Sequence, residues 1–285
     1  MMQAFAFLNI DHPIVAWGAY RAILVSSNAE YQPPQCPVSM MFAGIILGQN
    51  NVRFCNELLI EKYRQKHFPS CQSRLTGMYF FEERNTAKHA YEWGGHFSPK
   101  YLAELELYPT SAIFRHDANW ITHAPIDKRG RIKSEEWIPK YWSGQEYPGK
   151  IPVWELIVQG RAVICGTELR ERAYQNILKK FPGAVSILEV SRIAAHVGSD
   201  LGQVSAWIIR KSERLMDLSF YLDMRDADNP EFLERVQLYN GPRNHKDLAV
   251  GGEKFQVPDF REFSCQFLTD SELTDKFLLS VHRTE

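Results

Sequence analysis

A few residues in this sequence have a type and a setting that suit chemistry. Glu155 is the one acid in the strand-like run VWELIV, residues 153–158, among Val, Trp, Leu and Ile. A carboxylate there either faces solvent or has a task. Arg21, within AYRAILVS at residues 19–26, reads as an edge-strand cation in water or as an inward arginine. In the second case its planar fork can grip a pyrophosphate or a ribose. Lys128, Arg129, Arg131 and Lys133 form a basic cluster, followed by Trp137, Tyr141 and Trp142 at near-helical spacing. Cations beside aromatics suit a single-stranded nucleic acid, for phosphates and bases respectively. The alternative is an exposed loop and a helix tucked onto the core.

Bulk properties narrow the field. The 285 residues suffice for one large domain or two smaller ones, and 45% apolar with 24% charged residues is the balance of a soluble globular protein. A net charge of −1 means that any nucleic-acid contact must come from a local basic face. The five cysteines are scattered, with no Cys-x-x-Cys pair, and the histidines form no His-Glu-x-x-His pattern, so neither a metal site nor a disulfide framework is expected. No apolar run is long enough to span a bilayer, and the N-terminus lacks a basic leader and a cleavage site. A cytoplasmic location with no membrane partner is the expectation.

The elements that must position these residues follow from pattern. Residues 19–26 read as a strand carrying Arg21, and the three prolines of residues 32–37 as a loop. Residues 38–48 suggest a helix stopped by Gly48, and residues 51–67 a second with Val52, Cys55, Leu59 and Tyr63 along its buried stripe. LTGMYFF, residues 75–81, reads as a buried strand, and Asn85 as the cap of a short helix. Residues 101–108 alternate as a half-buried strand with Glu104 and Glu106 outward. Residues 152–166 suggest a β-hairpin turning at Gln159-Gly160, and Thr167 a cap for a helix over residues 168–180. Residues 190–215 have helix-turn-helix spacing, with a recognition helix starting near residues 202–206, although an ordinary helix pair looks the same. Beyond them SFYLDMR, EKFQVP and FSCQFL are strand-like, with turns at Asn240-Gly241-Pro242 and Gly251-Gly252.

The stretch NELLIEKYRQKHFPSCQSRLTGMYFFEERNTAKHA, residues 56–90, together with Glu155, resembles a bacterial ADP-ribosyltransferase-like family of the Arg-Ser-Glu type. The resemblance implies an α+β fold with an ADP-ribosyltransferase-like split mixed or antiparallel β-sheet core and flanking helices, over residues 1–182. A C-terminal α/β extension, residues 183–285, would carry the helix pair. It implies NAD as co-substrate, with Arg21 and Ser73 positioning the dinucleotide and Tyr79 stacking on nicotinamide, an aromatic face meeting a cation-bearing ring. Asp117 and Trp120 match further recurring positions. Glu155 would be the catalytic acid, hydrogen-bonding the ribose hydroxyls and stabilising the charge that develops there. The first strand lacks the His-Gly or His-x-Thr signature of several branches. Many relatives are toxins, so an intracellular toxin of a toxin–antitoxin or phage-defence system, with an antitoxin partner, is the extension. The acceptor expected from Lys128, Arg129, Arg131 and Lys133 is RNA or DNA, with a protein side chain as the alternative. A DNA-binding regulator and a non-catalytic interaction module are the rivals.

Overall fold

The chain alternates short antiparallel strands with helices that close over them. The computed structural model describes residues 2–27, 35–48, 51–242 and 256–269. In order, the elements are β1 (Met2–Phe7), α1 (Pro13–Arg21), β2 (Ile23–Val25), β3 (Gln35–Val38), α2 (Met40–Leu47), α3 (Asn51–His67), β4 (Met78–Phe81) and α4 (Arg84–His89). Then come β5 (Leu102–Pro109), β6 (Phe114–Asp117), α5 (Asn119–Thr122), α6 (Ile138–Trp142), β7 (Trp154–Val158), β8 (Gly160–Ile164) and α7 (Glu168–Lys180). The last are α8 (Val185–His196), β9 (Val204–Arg210), β10 (Leu215–Leu222), α9 (Pro230–Leu238) and β11 (Cys265–Leu268).

This is an α+β protein with two antiparallel sheets. The larger has the order β2-β8-β5-β1-β4-β7-β6, and the smaller the order β11-β10-β9-β3. β1 pairs with β5 from Met2 to Phe7, yet meets β4 only at Phe5 opposite Phe81, so the large sheet is nearly divided there. β7 and β8 are not the hairpin that Gln159-Gly160 suggests. β7 pairs with β4 and β6, whereas β8 pairs with β5 and β2, and the chain runs on from one part of the sheet to the other. The polar groups at this junction bond elsewhere: Thr110 N donates to Gln159 O at 2.9 Å and Ser26 N to Gly160 O at 3.0 Å. Gly160 has φ +138°, and a Cβ there would lie 2.3 Å from Tyr108 O, so only glycine fits.

Other expectations change for local reasons. Arg21 ends a helix rather than sitting on a strand, because Pro13 starts α1 and Ile14, Trp17 and Tyr20 recur at helical spacing on its buried side. Ala22 at φ 71° then stops that helix. Residues 35–38 form a strand despite Pro37, which is tolerated because β3 is an edge. In α3 the buried residues are Phe54, Glu57, Leu58, Ile60, Glu61 and Arg64, a face rotated from the expected apolar stripe and rich in charge. The helix-turn-helix is absent: α8 ends before Gly198 (φ +83°), and the alternating VSAWIIR becomes β9 where a recognition helix was expected. SFYLDMR and FSCQFL supply β10 and β11. Gly251-Gly252 and residues 253–255 of EKFQVP lie outside the described residues.

One hydrophobic core runs from Ala4 to Phe267 and crosses residue 182, with α1 packed on α7 and α8 and with β3 paired to β9. Among the described residues no helix is long and apolar enough to cross a membrane.

Candidate active site

Register brings Tyr79 and Glu155 together. In the β4–β7 pair Tyr79 lies opposite Ile157 and Phe81 opposite Glu155, and in β6–β7 His116 lies opposite Glu155. Side chains alternate along a strand and match across a pair, so Tyr79, Glu155 and His116 share one face. A satellite core of Ile60, Cys71, Trp120, Trp137, Ile138, Tyr141, Trp142 and Ile157 packs there.

Arg74, from the turn between α3 and β4, is the hub. Its Nη1 donates to Glu155 Oε1 at 2.8 Å and to the Tyr141 hydroxyl at 2.6 Å. Its Nε and Nη2 form a fork on Glu57 of α3, at 2.8 and 3.1 Å. The guanidinium carbon lies 4.9 Å from the Tyr79 ring centre and 5.4 Å from that of Tyr141. Tyr141 donates to Glu155 Oε1 at 2.7 Å, and Tyr79 donates to the Arg74 main-chain oxygen at 2.6 Å. Among the described residues every hydrogen bond to Glu155 lands on Oε1, and the side chain keeps 12% exposure. Oε2 has no hydrogen-bond partner among the described residues.

The turn carrying Arg74 is itself pinned. Arg64 is paired with Glu61 at 2.8 Å and donates through Nη1 to Cys71 O at 2.7 Å and Pro69 O at 3.3 Å. Thus the charged face of α3 anchors the whole turn, which an apolar stripe could not do.

Burial sets the protonation states. It raises the Glu155 carboxyl above its ordinary value, with the Arg74 charge and the Tyr141 hydroxyl pulling the other way. Burial also pushes Tyr79 and Tyr141 well above the ordinary phenol value, so both stay neutral donors. Burial opposes the Arg74 charge too, but Glu57 foremost keeps its pKa above the ordinary arginine value. His116 is pushed down to about 4 by burial and is neutral near pH 7. Its Nδ1 faces Tyr141 O at 3.0 Å; a carbonyl only accepts, so Nδ1 carries the proton, and Nε2 is a buried acceptor without a partner among the described residues.

The other expected site residues separate from this cluster. Arg21 is buried beside β2, at the far end of the sheet order from β7, and donates to Ile23 O and Ser199 O. Ser73 shapes the turn: its Oγ accepts from Leu75 N at 3.1 Å and its carbonyl from Gly77 N at 2.9 Å. Asp117 accepts from Asn119 N, Asn119 Nδ2, Val153 N and Tyr147 N, tying together the loops around α5 and β7. Trp120 donates to Gln145 O. Lys128, Arg129, Arg131 and Lys133 are exposed on a turn held by Asp127, whose carboxylate accepts from Arg129 N and Arg131 N. Trp137, Tyr141 and Trp142 are 4%, 0% and 2% exposed and cannot stack on bases.

Sequence pattern missed Arg74 and Glu57, and read Tyr141 for a different task. The signal was there in part: Glu57, Glu61 and Arg64 recur at helical spacing, and Arg74 directly follows Ser73. Among the described residues no group of three or more His, Cys, Asp or Glu is placed to hold a metal ion.

Fold and site together describe an α+β protein of antiparallel sheets with a buried acid–arginine–tyrosine cluster on one sheet face. Residues 28–174, just over half the chain, match the family described as protein of unknown function (DUF2441), and the chain belongs to that family. The match takes in Glu57, Arg74, Tyr79, His116, Tyr141 and Glu155, and leaves Arg21 outside. No curated protein matches the chain.

Proposed function

We propose that the chain is an NAD-dependent ADP-ribosyltransferase with Glu155 as its catalytic carboxylate. The observation that carries this reading is the shared face of Tyr79 and Glu155, with Oε1 of Glu155 held by Arg74 and Tyr141 and Oε2 left without a partner among the described residues. The near division of the large sheet between β1 and β4 fits the split sheet that the resemblance implies. In this reading Oε2 accepts a hydrogen bond from a ribose hydroxyl and stabilises positive charge as the bond to nicotinamide breaks. The half-buried Tyr79 offers its ring to the nicotinamide plane, and Arg74 replaces Arg21 as the arginine of the site.

For the acceptor we favour a nucleic acid, because Lys128, Arg129, Arg131 and Lys133 are all exposed on an ordered turn. With the nearby aromatics buried, contact falls on phosphates rather than bases. A toxin role with a neutralising partner belongs to the same reading. Incubation with labelled NAD and a mixture of RNA, DNA and protein tests it. Wild type transfers label, and Glu155→Gln loses transfer while keeping its fold. A wild type that neither binds nor consumes NAD overturns the assignment.

A further inference from the structure

The buried cluster has an unequal charge count. Glu57 and Glu155 are two carboxylates, and Arg74 is the cation bonded to both. Glu61, on the same face of α3, is already matched by Arg64. From β4 and α6 come the neutral phenols of Tyr79 and Tyr141, and from β6 the neutral imidazole of His116. One negative charge is therefore in excess in a place where charge is poorly solvated. The geometry says where it is felt. Both Glu57 oxygens are taken by the Arg74 fork, whereas among the described residues Glu155 has one oxygen held and one unpartnered.

We propose that Glu57 and Arg74 are positioning residues that fix Oε1 of Glu155 and leave Oε2 with an uncompensated negative charge, so that the site takes a ligand bearing a positively charged flat ring. The identity of that ligand rests on the reading above, in which it is the oxidised nicotinamide ring. The charge count does not. Burial is the main cause of the raised Glu155 pKa, with Arg74 and the Tyr141 hydroxyl opposing it and the charge of Glu57 adding a smaller push in the same direction as burial. Glu57 makes no contact with the ligand in this scheme. It acts by neutralising Arg74, which would otherwise cancel the charge of Glu155.

The test compares binding of oxidised NAD, NADH and ADP-ribose by calorimetry. Wild type prefers oxidised NAD over NADH by about tenfold or more, the scale of one charge contact at a partly buried site. Glu57→Gln frees the Arg74 charge to cancel Glu155, so this preference falls to about twofold or less while ADP-ribose affinity stays within about twofold. Arg74→Lys, which keeps the charge, retains the preference. A Glu57→Gln protein that weakens all three ligands equally, or none, overturns the proposal.

A measurement on wild type alone covers failure of the variants to fold and failure of the NAD reading. The cation 1-methylnicotinamide shifts the NMR signals of the Tyr79 ring and the Glu155 carboxylate, and neutral nicotinamide at the same concentration does not. If NAD is not bound but this contrast holds, the charge inference stands and the transferase assignment falls. If neither compound shifts the signals, or both do equally, the charge inference falls.

Discussion

Tyr79 and Glu155 lie on one face of the large sheet, on neighbouring strands and two residues out of register, and the guanidinium of Arg74 touches both. The ring centre is 4.9 Å from the guanidinium carbon, and Oε1 is 2.8 Å from Nη1. An aromatic strand and a lone acid far apart in sequence thus converge because a charged turn sits between them. Its pinning by Arg64 fixes the geometry from α3 rather than from the sheet.

Removing the hub is expected to be costly. In Arg74→Ala, Glu57 and Glu155 remain buried with no counter-charge, and breaking such a pair costs about 3–5 kcal/mol. Urea unfolding of the variant against wild type measures this directly. A loss below about 1 kcal/mol, the range of exposed ion pairs, means that the carboxylates are not desolvated as the structure has them.

His116 makes stability fall in acid. Its pKa is about 4 in the folded protein against an ordinary 6.5, so between those values the unfolded chain binds a proton that the folded one refuses. Stability is therefore full above pH 6.5 and is lost as pH falls toward 4, by up to about 3 kcal/mol. Glu155 has the opposite sign: its folded pKa is raised, so ionising it as pH rises above the ordinary carboxyl range costs stability. His116→Phe keeps a ring against Tyr141 and removes the first effect alone. Thermal melts from pH 4 to 7 should show an acid-induced loss in wild type that is smaller in the variant. Parallel curves count against the buried neutral imidazole.

Much of the fold was legible because local pattern and tertiary packing agree there. α2, β4, β5 and α7 form where their apolar pattern puts them, and β7 along its Leu-Ile-Val run, whereas α3 forms over the expected residues but turns a charged face inward. Failures occur where long-range pairing overrides a local signal. Gln159-Gly160 has the composition of a hairpin turn, yet each flanking strand finds better partners elsewhere. Ile193-Ala194, Val197-Gly198, Val204 and Trp207 have the spacing of a helix-turn-helix, yet VSAWIIR alternates and pairs with β10 and β3. At the site, Glu155 stood out as an acid among apolar residues. Arg74 and Glu57 did not, because a charged residue on a helix or turn normally reads as solvent-facing, and only the fold reveals that these two are 2% exposed.

Gly160 carries the passage from β7 to β8. Any side chain there meets main-chain oxygen of Tyr108 at 2.3 Å and sits at φ +138°, where L residues are strained. Gly160→Ala should destabilise by about 3 kcal/mol or more, since neither backbone can yield without breaking the β5–β8 pairing. Equilibrium unfolding checks it. A near-neutral variant means that the strand does not run on through this point.

Asp117 separates a structural role from a ligand-binding one. Its Oδ1 accepts from Asn119 N, Asn119 Nδ2 and Val153 N, and its Oδ2 from Tyr147 N at 2.8 Å. In Asp117→Asn one of those oxygens becomes a donor and faces an N–H, leaving a buried donor unpaired at a cost of about 1–3 kcal/mol. The melting temperature should drop, while NAD consumption, measured where the variant is still folded, stays at the wild-type rate. The residue expected from sequence to bind the dinucleotide would then be the knot that holds Tyr147 and Val153, and through them the start of the strand carrying Glu155. A variant with an unchanged melt and lost activity reverses this assignment and returns Asp117 to the ligand.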